Sequence, residues 1–130
     1  MTVALRIAGP HLDVDALAQA ISPVQAEGIA RVGELDRKGN ARTTFSLGVT
    51  LSESELPKQA VADALEMLKR IGPRVGPFLS DGTEAEVDFA LFVSAMQMRS
   101  IRFEPEALRA FADYGLEVVV SAYPVGDDDD

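Results

Sequence analysis

At 130 residues, with a formal net charge of −9 and no cysteine, the chain suits one domain that buries roughly two thirds of its unfolded surface, and it excludes disulfides, a thiolate nucleophile and cysteine-held metals. The acidic balance argues against nucleic-acid binding, which rests on a surplus of Lys and Arg. The opening "MTVALRIAGPHLD" lacks a basic leader and a continuous apolar run, and no window reaches membrane-span length, so the sequence predicts a soluble cytoplasmic protein without a membrane partner.

The first element is a strand: in "TVALRIAG" Val3, Leu5 and Ile7 alternate with Ala4, Arg6 and Ala8, as a half-buried strand requires. Gly9 and Pro10 end it. Asp13 can cap a helix in which Val14, Leu17, Ala18 and Ile21 share one face, and Pro23 stops that helix. "GIARVGEL" (28–35) reads as a weaker strand interrupted at Gly33, followed by a turn at "DRKGN" (36–40). A clearer strand follows, with Phe45, Leu47, Val49 and Leu51 opposite Thr44, Ser46, Gly48 and Thr50.

Ser54 is the expected cap of a second helix that runs to about Gly72, with Val61, Ala64, Leu65, Leu68 and Ile71 as its apolar stripe. Gly72–Pro73 and Gly76–Pro77 then read as stops, and Phe78 and Leu79 as plugs at the open end of the core. "AEVDFALFVSA" carries Val87, Phe89, Leu91 and Val93 on one face, while Phe92 interrupts the polar side, which predicts a central strand. "MQMRSIRF" continues it or bends away, with a bulge near Arg99 and Ser100. A third helix starts at Pro105, buries Leu108, Phe111 and Ala112, and ends at Gly115 before the strand "LEVVVSAY".

The order is β-α-β-β-α-β-(β)-α-β. It predicts an α+β two-layer sandwich: a mainly antiparallel sheet with helices on one face, similar to a ferredoxin-like plait with an extra αβ unit. The domain spans 1–125, and 126–130, with Asp127 to Asp130, reads as a disordered acidic tail.

"ALRIAGPHLDVDALAQAI" and "RFEPEALRAFADYGLEVVVSAY" together resemble the bacterial domain-of-unknown-function family 4279, with Gly9, Leu12, Asp13, Leu108, Gly115 and Tyr123 on its pattern. The family often has a tryptophan in its middle strand, where this chain has Phe45. The resemblance implies a small bacterial cytoplasmic protein without an established activity, and it supplies no catalytic residues.

Little in the chain points to chemistry. His11 is the only histidine, so a Ser-His-Asp triad has one possible centre, beside Asp13, and no second His or Cys completes a transition-metal site. Glu86 and Asp88 project from one strand face, where paired acids can share a proton or bind a hard cation, but a face balanced by arginines such as Arg42 is the plainer reading. "DGTEAEVD" (81–88) lacks the EF-hand spacing, and "GPRVGP" (72–77) follows a helix where a phosphate loop would follow a strand. Arg31, Arg37, Lys38 and Arg42 form a basic cluster around the 36–40 turn, ordinary as a charged hairpin tip. Neither a cofactor nor a metal is expected.

The second face of the sheet is the best candidate surface. It presents Arg6, Arg42, Thr44, Ser46, Asp88, Phe92, Val119 and Tyr123, unless loops or the "MQMRSIRF" segment cover it. Two functions fit. One is a non-catalytic interaction protein, for example immunity- or antitoxin-like, that meets a basic protein or self-associates through this face. The alternative is a small-molecule-binding or enzymatic domain with a cleft near His11, Asp13 and Arg42.

Overall fold

The computed structural model describes residues 1–80, 82–94 and 99–125. The proposed acidic tail at 126–130, Ala95 at the end of the proposed central strand and residues 96–98 of the proposed extension lie outside the described residues. Strands β1 (Thr2–Gly9), β2 (Gly28–Ala30), β3 (Phe45–Glu53), β4 (Glu84–Val93) and β5 (Glu117–Pro124) alternate with helices α1 (Val14–Ala20), α2 (Pro57–Val75) and α3 (Pro105–Asp113). They form one sheet in the order β2-β3-β1-β4-β5.

The first six elements give the β2-β3-β1-β4 arrangement of a ferredoxin-like plait, with β1 antiparallel to both β3 and β4. The crossover through α3 then sets β5 parallel to β4 on its outer side. The molecule is thus an α+β two-layer sandwich with a mixed, mainly antiparallel sheet.

The alternating pattern decides which face is dry. Val3, Leu5 and Ile7 of β1, Leu47, Val49 and Leu51 of β3, and Val87, Phe89 and Leu91 of β4 are all buried in one core. Against them lie Leu17 of α1, then Ala64, Leu68 and Ile71 of α2. Asp13 caps α1 as the sequence predicts, its carboxylate accepting the Ala16 N–H at 3.0 Å. Outside the sheet, Arg31 grips Asp15 of α1 with two hydrogen bonds of 3.0 Å, which ties the end of β2 to the helix layer.

Five local expectations are corrected. First, α2 begins at Pro57, in the first-turn position that tolerates a missing N–H, so the cap is Leu56; the Ser54 hydroxyl only accepts the Leu56 N–H, at 3.2 Å. Second, α2 does not stop at Gly72–Pro73 but runs on to Val75, because Ile71 and Val75, four residues apart, are both buried and hold the last turn on the core.

Gly72 is needed there for another reason: a Cβ at that position would come within 2.6 Å of the Tyr114 ring. Third, α3 buries Ala107 and Phe111, while Leu108 is 44% exposed and Ala112 faces out. The helix is rotated because Phe111 joins an edge-to-face group with Phe89 at 5.8 Å and Phe103 at 6.5 Å. Gly115, at φ +77, does end the helix as expected.

Fourth, the bracketed strand is absent among the described residues. Arg99–Glu104 is irregular, and Phe103 turns into the helix layer, its ring 4.8 Å from that of Phe89. That contact lies on the core side, and Ser100 and Arg102 share a groove with the start of α2, so these residues do not cover the second face of the sheet. Fifth, "GIARVGEL" is a strand only over Gly28–Ala30, because beyond Arg31 the chain turns and the Gly33 N–H bonds to the Arg42 carbonyl at 2.9 Å.

Two outcomes follow from this packing. Phe111→Ala, at a fully buried site, lowers unfolding free energy by about 3–5 kcal/mol, read by urea denaturation. The Arg31 hydrogen bond and charge lower the Asp15 pKa below the usual carboxylate range. A depressed carboxylate stabilises above its unfolded pKa and loses that contribution as pH falls through the folded value. The melting-temperature difference between parent and Asp15→Asn is therefore present at neutral pH and vanishes in acid, and salt reduces it.

Candidate functional site

The face turned away from the helices is built from rows of residues that the strand register aligns. One row crosses all five strands: Gly28 opposite Gly48, Gly48 opposite Arg6, Arg6 opposite Glu86, and Glu86 opposite Glu117. The two glycines leave β2 and β3 bare on this side, where a Cβ on Gly28 would meet nothing within 4 Å. The next row continues the shallow floor with Ala30, Ser46 and Ala8, then rises at Glu84. The result is a cleft of about 500 Å³ with a small-residue floor, glutamates 84, 86 and 117 on one side, and Arg6 and Arg42 among its other lining residues.

Asp88, one row further along β4, is only 1% exposed. A buried carboxylate needs partners for both oxygens. Arg6 reaches diagonally from β1 to one oxygen at 2.5 Å, and the Ser121 hydroxyl of β5 donates to the other at 2.8 Å. Glu86 adds a weaker contact to the same guanidinium at 3.8 Å. The hydrogen bond to Asp88 raises the Arg6 pKa above the usual arginine value, with burial opposing and the charges of Asp88 and Glu86 adding to it. The cation is thereby fixed as a permanent positive strut in the floor of the cleft.

At the far end of the same face, Phe92 and Tyr123 are register partners on β4 and β5, with ring centroids 5.7 Å apart and planes inclined by 31°. They are 47% and 45% exposed, an aromatic pair of the kind enriched where proteins meet.

Of the five residues singled out from sequence, Arg6 and Asp88 are bonded to each other, Phe92 and Tyr123 stack side by side, and Arg42 lines the cleft. Arg42 enters from the loop between β2 and β3, its backbone held by the Glu34 carbonyl at 2.8 Å, and among the described residues it makes no ion pair. The carboxylate Asp88 is balanced by Arg6, not by Arg42, because Arg6 lies on the adjacent strand. The basic cluster is divided: Arg31 is held by Asp15, and Arg37 and Lys38 stay on the exposed turn. His11 and Asp13 do not line the cleft that contains Arg42; His11 is exposed and Asp13 is engaged in capping α1.

Glu84, Glu117 and the opposed pair Gly28 and Gly48 were not legible as site residues. Their signal is the register, which no single strand's pattern contains. A second groove, of about 860 Å³, opens between the start of α2 and residues 100–107, with Val61, Leu65 and Phe103 on its apolar wall. Among the described residues no group of three His, Asp or Glu side chains is placed to hold a metal ion.

The Arg6–Asp88 pair has unequal halves. Arg6→Met leaves a buried carboxylate with Ser121 alone and costs about 2–3 kcal/mol, below the range for fully buried pairs because the Arg6 side chain is half exposed. Asp88→Asn leaves a guanidinium that can turn to water or to Glu86, and it costs less. Urea denaturation of the two variants reads the ordering directly.

No protein-family model matches the chain, and neither a curated protein nor a solved structure does. The resemblance to family 4279 therefore rests on the two terminal motifs alone.

Proposed function

We propose that the chain is a non-catalytic interaction domain, of the immunity or antitoxin kind, that holds a basic protein partner on the uncovered face of its sheet. The observation that carries this reading is the row from Gly28 to Glu117. A glycine-floored cleft walled by glutamates accepts a long cationic side chain, and Arg6 is already committed to Asp88. The exposed Phe92–Tyr123 pair supplies an aromatic anchor at the far end of the same face. The net charge of −9 speeds approach of a basic partner and repels nucleic acid. No described helix is long and apolar enough to cross a membrane, and a cytoplasmic setting and the bacterial family belong to the same reading.

The small-molecule reading has one observation in its favour: Arg42 lines a cleft of ligand-pocket size, about 500 Å³, without an ion-pair partner among the described residues. It would seat an anionic ligand there, away from His11 and Asp13. Thermal-shift screening separates the two readings, because a ligand that stabilises the parent and not Arg42→Ala favours the second.

The test of the first reading fills the cleft without disturbing the fold. Gly48 has ordinary strand geometry and its nearest contacts for an added Cβ are 3.9 Å away, so Gly48→Val is expected to fold normally. Affinity capture from a native lysate with the parent should recover a basic protein whose binding falls tenfold or more with Gly48→Val, with Glu86→Arg, and with rising salt. A partner retained equally by both variants overturns the assignment of this surface.

A further inference from the structure

We propose that the outer edge of β5 is where a second copy of this chain joins, the two β5 strands pairing antiparallel about a two-fold axis to extend the sheet across both molecules. Strand β5 runs for eight residues in unbroken register along β4, and among the described residues no strand lies on its other side. An exposed edge is normally guarded by charge, a bulge, proline or brevity. The opposite edge has such a guard, since β2 is three residues long and sits between Glu27 and Arg31. From Val118 to Tyr123, β5 has none: the sequence "VVVSAY" carries no charge, and Pro124 closes the strand only at its end.

The edge is also self-complementary. Antiparallel pairing centred on Val120 sets Glu117 opposite Tyr123 of the second copy, so no like charges meet across the seam. Apolar side chains flank the edge on both faces, with Val120 47% exposed on the helix side and Tyr123 45% exposed on the other. Leu108, 44% exposed, lies on α3, the helix that leads into β5. Tyr114 faces α2, where its ring lies over Gly72, and Leu108 lies about a third of a turn from it around the axis of α3, on the flank toward β5. Pairing sets a second Val120 and a second Leu108 alongside the first.

This association goes beyond the reading of the uncovered face, and salt separates the two. Two chains of −9 each repel, so added salt tightens the pair, whereas it loosens a basic partner. Sedimentation velocity on the full chain, from low micromolar to near-millimolar concentration, should show a monomer–dimer equilibrium that strengthens with sodium chloride. Amide exchange at residues 118–122 should slow at the higher concentration. Val120→Lys should raise the dimer dissociation constant tenfold or more. Leu108→Glu, on an exposed helix surface, should weaken it in the same direction and decides the matter if the strand variant fails to fold. A chain that stays monomeric throughout, as one reserving this edge for an extended segment of another protein would, overturns the proposal. So do β5 amides that exchange equally fast at both concentrations, or variants that pair as tightly as the parent.

Discussion

A carboxylate that is 1% exposed on a face without helices sets the terms for everything around it. Asp88 sits on β4, and its two oxygens draw Arg6 from β1 and Ser121 from β5. Three strands are pinned by one charge. The pin also fixes the added β5 to a plait that is topologically complete without it, and it takes Arg6 out of circulation as a free cation. The acidic wall of the cleft and the commitment of its nearest arginine are therefore two sides of a single arrangement.

On the dry side the equivalent point is Phe89. It touches Phe103 from the irregular segment and Phe111 from α3, so the element that carries Asp88 outward carries the aromatic centre inward. Strand alternation makes this possible, because neighbouring residues on β4 face opposite sides of the sheet. The rotation of α3 that exposes Leu108 is set by the same aromatic group. A surface feature at the β5 edge thus has its origin in the core.

Much of this order was legible in the sequence. The strands at Thr2–Gly9, Phe45–Glu53, Glu84–Val93 and Glu117–Pro124 announce themselves by alternation, and Asp13, Pro105 and Gly115 mark helix ends by backbone chemistry that needs no tertiary partner. Apart from the Ser54 cap, which Pro57 displaces locally, what failed depended on tertiary packing. Pro73 reads as a stop until the burial of Val75 is known, and Leu108 reads as core until Phe111 has chosen its neighbours. Arg6, Asp88, Phe92 and Tyr123 were found because they are polar or aromatic on the non-core face of predicted strands. The cleft was not, since Gly28 and Gly48 become a floor only when β2 and β3 are aligned.

The place of β1 in the sheet bears on how the chain reaches this state. Its two neighbours, β3 and β4, come from Phe45–Glu53 and Glu84–Val93, so β1 lacks its second partner until the residues through Ala90 have been made. Until then Val3, Leu5 and Ile7 wait unpaired on one side. Closure of the sheet is governed by long-range pairing and not by local hairpins, which places this chain among the slower-folding topologies of its size and makes β1 the strand most in need of protection until β4 follows it.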